Sequence, residues 1–163
     1  MTNLSFHDRL LPEHIETIQD YVDEIPVRVG ALAKSLGLKV VVAALPLNIS
    51  GLIKPDGDGY VIKVNRFESK ERQRFTIAHE IAHFLLHRDR IQAGVVDSIL
   101  YRSKLSSRLE AEANRLAADI LMPIDQVRKT VQAHQGLTSD EMNILLSEQF
   151  EVSRQAMGIR TGG

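Results

Sequence analysis

Residues 68–88 carry Phe75, Ile77, Ala78, Ile81, Ala82, Leu85 and Leu86 at a spacing that predicts one long helix. Into that apolar run are set two histidines, in the order His79-Glu80-Ile81-Ala82-His83. Side chains four apart on a helix lie one turn above each other on the same face. Both imidazoles can therefore reach one metal ion, at about 2.0–2.1 Å if the ion is zinc. Glu80 follows the first histidine, and its carboxylate is expected on the open side of the ion. There it can take a proton from water and pass it to a leaving amine.

The chain contains no cysteine among its 163 residues, so disulfides, thiolate nucleophiles and Cys-ligated zinc are excluded. The remaining metal ligands must be histidine or carboxylate. His87 continues the same helical face, but a further turn away, about 6 Å along the axis. It is expected beside a ligand or at the helix end. A better third ligand lies in Glu110-Ala111-Glu112-Ala113-Asn114, on a second predicted helix over 109–121. Glu110 is preferred, because Asn114 falls four residues on along the same face and its carbonyl can fix the tautomer of a ligand histidine. Glu112 points about 200° away around the helix. It is the alternative ligand, and otherwise a solvated charge. Ala111, Ala113, Ala117 and Ala118 are small enough to let the two helices approach closely.

Around this pair the sequence predicts helices over 12–21 and 27–36 and strands over 39–44, 49–54 and 60–65. The PDGDG run at 55–59 is a hairpin signal. A loop is expected over 90–107, and shorter helices over 124–134, 140–150 and 153–159. The fold class is α+β, a small three-stranded antiparallel or mixed sheet packed on a zinc-binding helix pair. Residues 1–123 are expected to form the domain that carries the motif, and 124–163 a C-terminal helical subdomain packed on it. Residues 1–20 lack the apolar run of a signal peptide, and nothing approaches the ~20 apolar residues of a membrane helix. The expectation is a soluble cytoplasmic protein without a membrane partner. A net charge of −1, from 20 Lys+Arg against 21 Asp+Glu, gives no overall field for nucleic acid. Residues 145–159 do read like a helix-turn-helix that could turn Arg154, Gln155 and Arg160 toward a groove. The preferred reading is a helical subdomain with Val152, Ala156 and Ile159 buried. His7, His14 and His134 are expected at the surface, and Asp56 and Asp58 are accounted for by their turn.

Two longer runs narrow the reading. Residues 74–87, RFTIAHEIAHFLLH, resemble the R-F-T-x-A-H-E-x-x-H-x-x-L-H signature of the ImmA/IrrE metallopeptidases. Residues 110–123, EAEANRLAADILMP, resemble the same family's E-x-E-A-N-x-F-A-A-x-L-L-M-P, with Leu116 in place of the usual Phe. The resemblance covers about residues 27–123. It implies a gluzincin-like site with one Zn2+ on His79, His83 and Glu110, and Glu80 as general base; Mn2+ or Fe2+ are the competing ions. It also implies a substrate class, helix-turn-helix transcriptional repressors cut at one site, which switches on phage, mobile-element or DNA-damage-response genes. The oxyanion needs a further donor, for which Tyr101, His87 and Arg102 are candidates. The strand over 60–65 is expected to offer an edge to an extended substrate segment, and the loop over 90–107 to gate access. The competing reading is a metal-bound regulatory or DNA-binding module without peptidase activity. Nothing in the sequence fixes an oligomeric state.

Overall fold

Pro12 opens helix α1 (Pro12–Val22) at a position where its missing N–H costs nothing. A cis Ile25–Pro26 bond precedes α2 (Val29–Ser35), and Gly37, at φ +83°, ends that helix in the left-handed conformation that glycine tolerates best. This computed structural model describes residues 3–92 and 107–162. Three strands follow α2, namely β1 (Leu38–Ala43), β2 (Gly51–Asp56) and β3 (Gly59–Asn65). Among the described residues they form one sheet in the order β1-β3-β2. β2 and β3 are an antiparallel hairpin, whereas β1 runs parallel to β3 with Leu38 opposite Tyr60 and Ala43 opposite Asn65. The sheet is therefore mixed.

This order corrects one expectation. β3, read as an edge offered to substrate, is the central strand, paired on both sides, and the edges are β1 and β2. The reason lies in its composition, since Val61, Ile62, Val64 and Asn65 are all buried, and a strand with so much to bury is most stable in the middle. Asn65 ends β3. Its amide nitrogen lies within 2.9–3.2 Å of the carbonyls of Leu45, Pro46 and Ile49, and its side-chain oxygen accepts from the Phe67 N–H. One buried amide thus fastens the loop that delivers β2.

Helix α3 (Lys70–Leu86) starts at Ser69, whose hydroxyl accepts from the Arg72 N–H. It lies between the sheet on one side and α5 (Ser107–Leu121) on the other. Ala78 and Ala82 of α3 and Ala113 and Ala117 of α5 are fully buried, which allows the close approach expected of small residues. A five-residue helix, α4 (Arg88–Gln92), occupies the start of the stretch read as a loop; residues 93–106 lie outside the described residues. Helices α6 (Ile124–Ala133), α7 (Ser139–Phe150) and α8 (Arg154–Thr161) complete the chain. Thr138 and Glu141 form a reciprocal capping box on α7, and the Ser153 hydroxyl caps α8. Leu146, Phe150, Val152 and Met157 join the same core as Ile81, Leu116 and Ile120. Ile159, expected inside, is 76% exposed, and Arg160 pairs with Asp119 at 3.0 Å and donates to the Met122 carbonyl. Arg160 is thus engaged with the protein's own core rather than turned toward a groove. No helix among the described residues is long and apolar enough to cross a membrane.

Candidate metal centre

Along α3, the one-turn spacing brings Nε2 of His79 and Nε2 of His83 to 3.1 Å from each other. The carboxylate of Glu110, in the first turn of α5, reaches both, with Oε1 at 3.0 Å from His83 Nε2 and Oε2 at 3.2 Å from His79 Nε2. Among the described residues these three form the group able to hold a metal ion. The residues fit one. Four ligands placed tetrahedrally at about 2.0–2.1 Å stand about 3.3 Å apart, close to the separations observed. One cation would satisfy two imidazole lone pairs and a carboxylate that otherwise compete for protons. Burial acts to raise the Glu110 pKa, but the His79 and His83 rings against the carboxylate outweigh it and hold the carboxyl well below its ordinary range.

The other ring nitrogens are also engaged. His79 Nδ1 lies 2.8 Å from Oδ1 of Asn114 on α5, an oxygen that can only accept. His79 therefore carries its proton on Nδ1 and turns its Nε2 lone pair toward His83 and Glu110. The Phe75 ring stacks on His79 with centroids 6.4 Å apart. His83 Nδ1 meets His87 Nδ1 at 2.9 Å, and His87 Nε2 meets Glu112 Oε1 at 2.9 Å. Glu112 in turn receives a two-pronged contact from Arg9, Nη1 to Oε2 at 3.0 Å and Nη2 to Oε1 at 3.1 Å.

These contacts sort the sequence candidates. His87 caps the C-terminal end of α3 and is buried, with both ring nitrogens occupied, so its ring is not presented as an oxyanion donor. Burial lowers its pKa, opposed by the hydrogen bond to Glu112. Glu112, the alternative ligand, has its carboxylate on His87 and Arg9 rather than in the His79–His83–Glu110 group. Nor is it a solvated charge, since its side chain is only 13% exposed. The Arg9 hydrogen bond holds its carboxyl down at about 2, against the opposing effect of burial. Glu80 is fully buried on α3 directly beside His79. Tyr101 and Arg102 lie outside the described residues. Arg9 is the residue that sequence reasoning missed, because no local pattern signals a contact spanning 103 positions.

A cleft of about 290 Å³ opens on His79 and Glu110, and Gly51 and Leu52 of β2 form part of its wall. A larger groove of about 730 Å³ shares Arg72, Phe75 and Asn114 with it and runs on to Met122, Val152 and Ile159. The β2 wall is close because residue 51 has no side chain. A Cβ there would stand 2.4 Å from Thr76 Cγ2 and 2.6 Å from the Lys63 carbonyl.

The profile of the peptidase M78 family, described as the IrrE N-terminal-like domain, matches residues 33–161. The chain belongs to the IrrE N-terminal-like family. That family is one of metallopeptidases, and every member of the His79–His83–Glu110 group lies within the matched span. Among curated proteins, the Bacillus subtilis (strain 168) protein named metallopeptidase ImmA is 27% identical over 95 residues, 57% of this chain and 53% of that protein. Among solved structures, one described as a Mycobacterium tuberculosis transcriptional regulator superposes with a TM-score of 0.58 at 19% identity. It covers 95% of this chain and 49% of its own, and the likeness is one of fold. The IrrE-like chain thus spans about half the length of each. Arg9, which closes the contacts behind His87, lies before the family-matched residues.

Proposed function

We propose that this chain is a zinc-dependent endopeptidase that cuts a protein substrate at a defined site, and that the substrate is a helix-turn-helix transcriptional repressor. The observation that carries the catalytic part is the convergence of His79 Nε2, His83 Nε2 and Glu110 within 3.0–3.2 Å on two packed helices, in a chain of a metallopeptidase family. The substrate class comes from the resemblance of the two motif runs to the ImmA/IrrE metallopeptidases. Held by these three residues, zinc would supply a water of lowered pKa, toward about 7, and a Lewis acid for the peptide carbonyl. Manganese or iron would fit the same ligand set. Glu80, anchored on the helix beside His79, takes the proton from the attacking water and returns it to the departing amine. His79 and His83 are held for this role by Asn114 and His87 at their remote nitrogens.

The shape of the cleft supports a protein substrate. β2 is an edge strand, and residues of that strand line the cleft beside Glu110. An extended segment can add to such an edge by backbone hydrogen bonds. The adjoining groove offers Phe75, Met122, Val152 and the exposed Ile159 to apolar side chains, with Arg72 and Arg115 along it. A small cleft beside a larger groove favours one segment of one partner over general digestion. We place the protein in the cytoplasm, where such repressors act, and take residues 124–163 as a helical subdomain on the same core.

The test compares new protein N-termini in cells that express the wild type or Glu80→Gln. The expected result is one or a few new termini in a helix-turn-helix repressor, present with the wild type and absent with Glu80→Gln, while the purified variant still holds its metal. Equal cleavage by the variant would remove Glu80 from its role. Termini scattered over many unrelated proteins would remove the repressor as substrate.

A further inference from the structure

We propose that Arg9 and Glu112 position the metal ligand His83 through His87, so that a segment outside the family-matched residues forms part of the metal centre. The inference rests on the metal site proposed above. An ionised carboxylate accepts hydrogen bonds and cannot donate them. Glu112 Oε1, 2.9 Å from His87 Nε2, therefore requires the His87 proton on that nitrogen. A neutral His87 then presents a lone pair at Nδ1, and the 2.9 Å contact with His83 Nδ1 can form only if His83 donates. With its proton on Nδ1, His83 turns a lone pair outward at Nε2, the atom that faces His79 Nε2 and Glu110. The orientation of one carboxylate is thus transmitted through two rings to a ligand atom.

Arg9 fixes the far end. Its guanidinium grips both oxygens of Glu112, a fork geometry that sets the plane of the carboxylate as well as its charge. The segment that carries Arg9 is itself docked on α5, because the Ser5 N–H donates to Asp119 Oδ2 at 2.7 Å, and Asp119 is held by Arg160. Three parts of the chain that are far apart in sequence, residues 5–9, the end of α3 and the first turns of α5, are joined behind one metal ligand. His79 is held differently, by the single amide of Asn114. The two histidines therefore depend on separate supports.

The test is zinc affinity of the full chain by competition with a chromophoric chelator, with the ring N–H resonances of zinc-loaded, 15N-histidine-labelled protein as second readout. Glu112→Ala and His87→Phe are each expected to weaken zinc binding by about 10–100-fold. The double variant should be no weaker than His87→Phe alone, because the two residues act in one chain. Glu112→Gln keeps an acceptor for His87 Nε2–H and loses only the Arg9 fork. It should match Arg9→Ala, with a loss of about two- to fivefold. In the wild type, the Nδ1–H proton of His83 should resonate far downfield and exchange slowly; in Glu112→Ala it should move upfield and exchange faster. Zinc held as tightly by Glu112→Ala as by the wild type, a Gln variant as weak as the Ala variant, or additive losses in the double variant would each overturn the relay. Zinc binding separates this idea from the proposed activity. A wild type that binds zinc but cuts nothing leaves the relay to stand or fall on these affinities, and a wild type that takes up no zinc removes the metal centre and the relay together.

Discussion

The carbonyl oxygen of Asn114 decides which nitrogen of His79 carries the proton, and that choice leaves a lone pair on the opposite nitrogen, the proposed ligand atom. Asn114→Ala should therefore weaken zinc binding by about 10–100-fold, whereas Asn114→Asp, which keeps an acceptor, should remain close to the wild type. Chelator competition measures both, and equal affinities in all three proteins would deny Asn114 its role. Much at this scale could be read from the sequence, because a helix converts spacing into direction. His79 and His83 at four, and Glu110 and Asn114 at four, each specify one face. The fate of Glu112 could not be read in the same way. Its angle around α5 correctly turns it from Glu110, but what it meets there is His87 on α3 and Arg9, and neither lies at a helical spacing from it. A carboxylate facing away from Glu110 looks solvated until the partner segment is in place.

At the scale of elements, β2 and α3 pack closely at Gly51. Gly51 permits it, since any Cβ at that position would press on the Thr76 methyl and on the Lys63 carbonyl of the central strand. Backbone cannot swing aside as a flexible side chain does, so Gly51→Ala should destabilise the fold by about 1–3 kcal/mol. Urea unfolding of the metal-free variant beside the wild type measures this, and an unchanged midpoint would show that β2 has slack against the helix. The glycine is visible in the sequence, but its purpose is not, because the contact depends on the packing of α3 across the sheet. The same limit explains β3. Alternating residues at 60–65 and the PDGDG turn predict the hairpin. Whether β1 then lies beside β2 or β3 is a question of long-range pairing, and the structure places it parallel to β3. The edge next to His79 and Glu110 is therefore β2. Helices α1, α2, α3 and α5–α8 fall within a few residues of their expected bounds, because caps such as Ser69, Thr138 and Ser153 and stops such as Gly37 act locally. The short α4 was missed, since five residues give no period to detect.

At the scale of the molecule, one core runs from Leu4 to Met157 among the described residues, and His79, His83 and Glu110 stand on α3 and α5, two helices that contribute to it. The α+β class followed from the order of elements, but the docking of residues 5–9 on α5 did not, because it is made by single contacts across more than 100 positions. Those contacts bring sequence beyond the family-matched residues to the back of the proposed metal centre. Everything proposed for the chain, from the role of Glu80 to the relay through His87, depends on that centre holding an ion between His79, His83 and Glu110. The most direct measurement is the zinc bound per chain after reconstitution and removal of loose metal, by elemental analysis of the wild type beside Glu110→Ala. The expected result is about one zinc per wild-type chain, in keeping with a His₂Glu ligand set, and a small fraction of that in the variant. No zinc in the wild type, or an undiminished content without Glu110, would contradict the account.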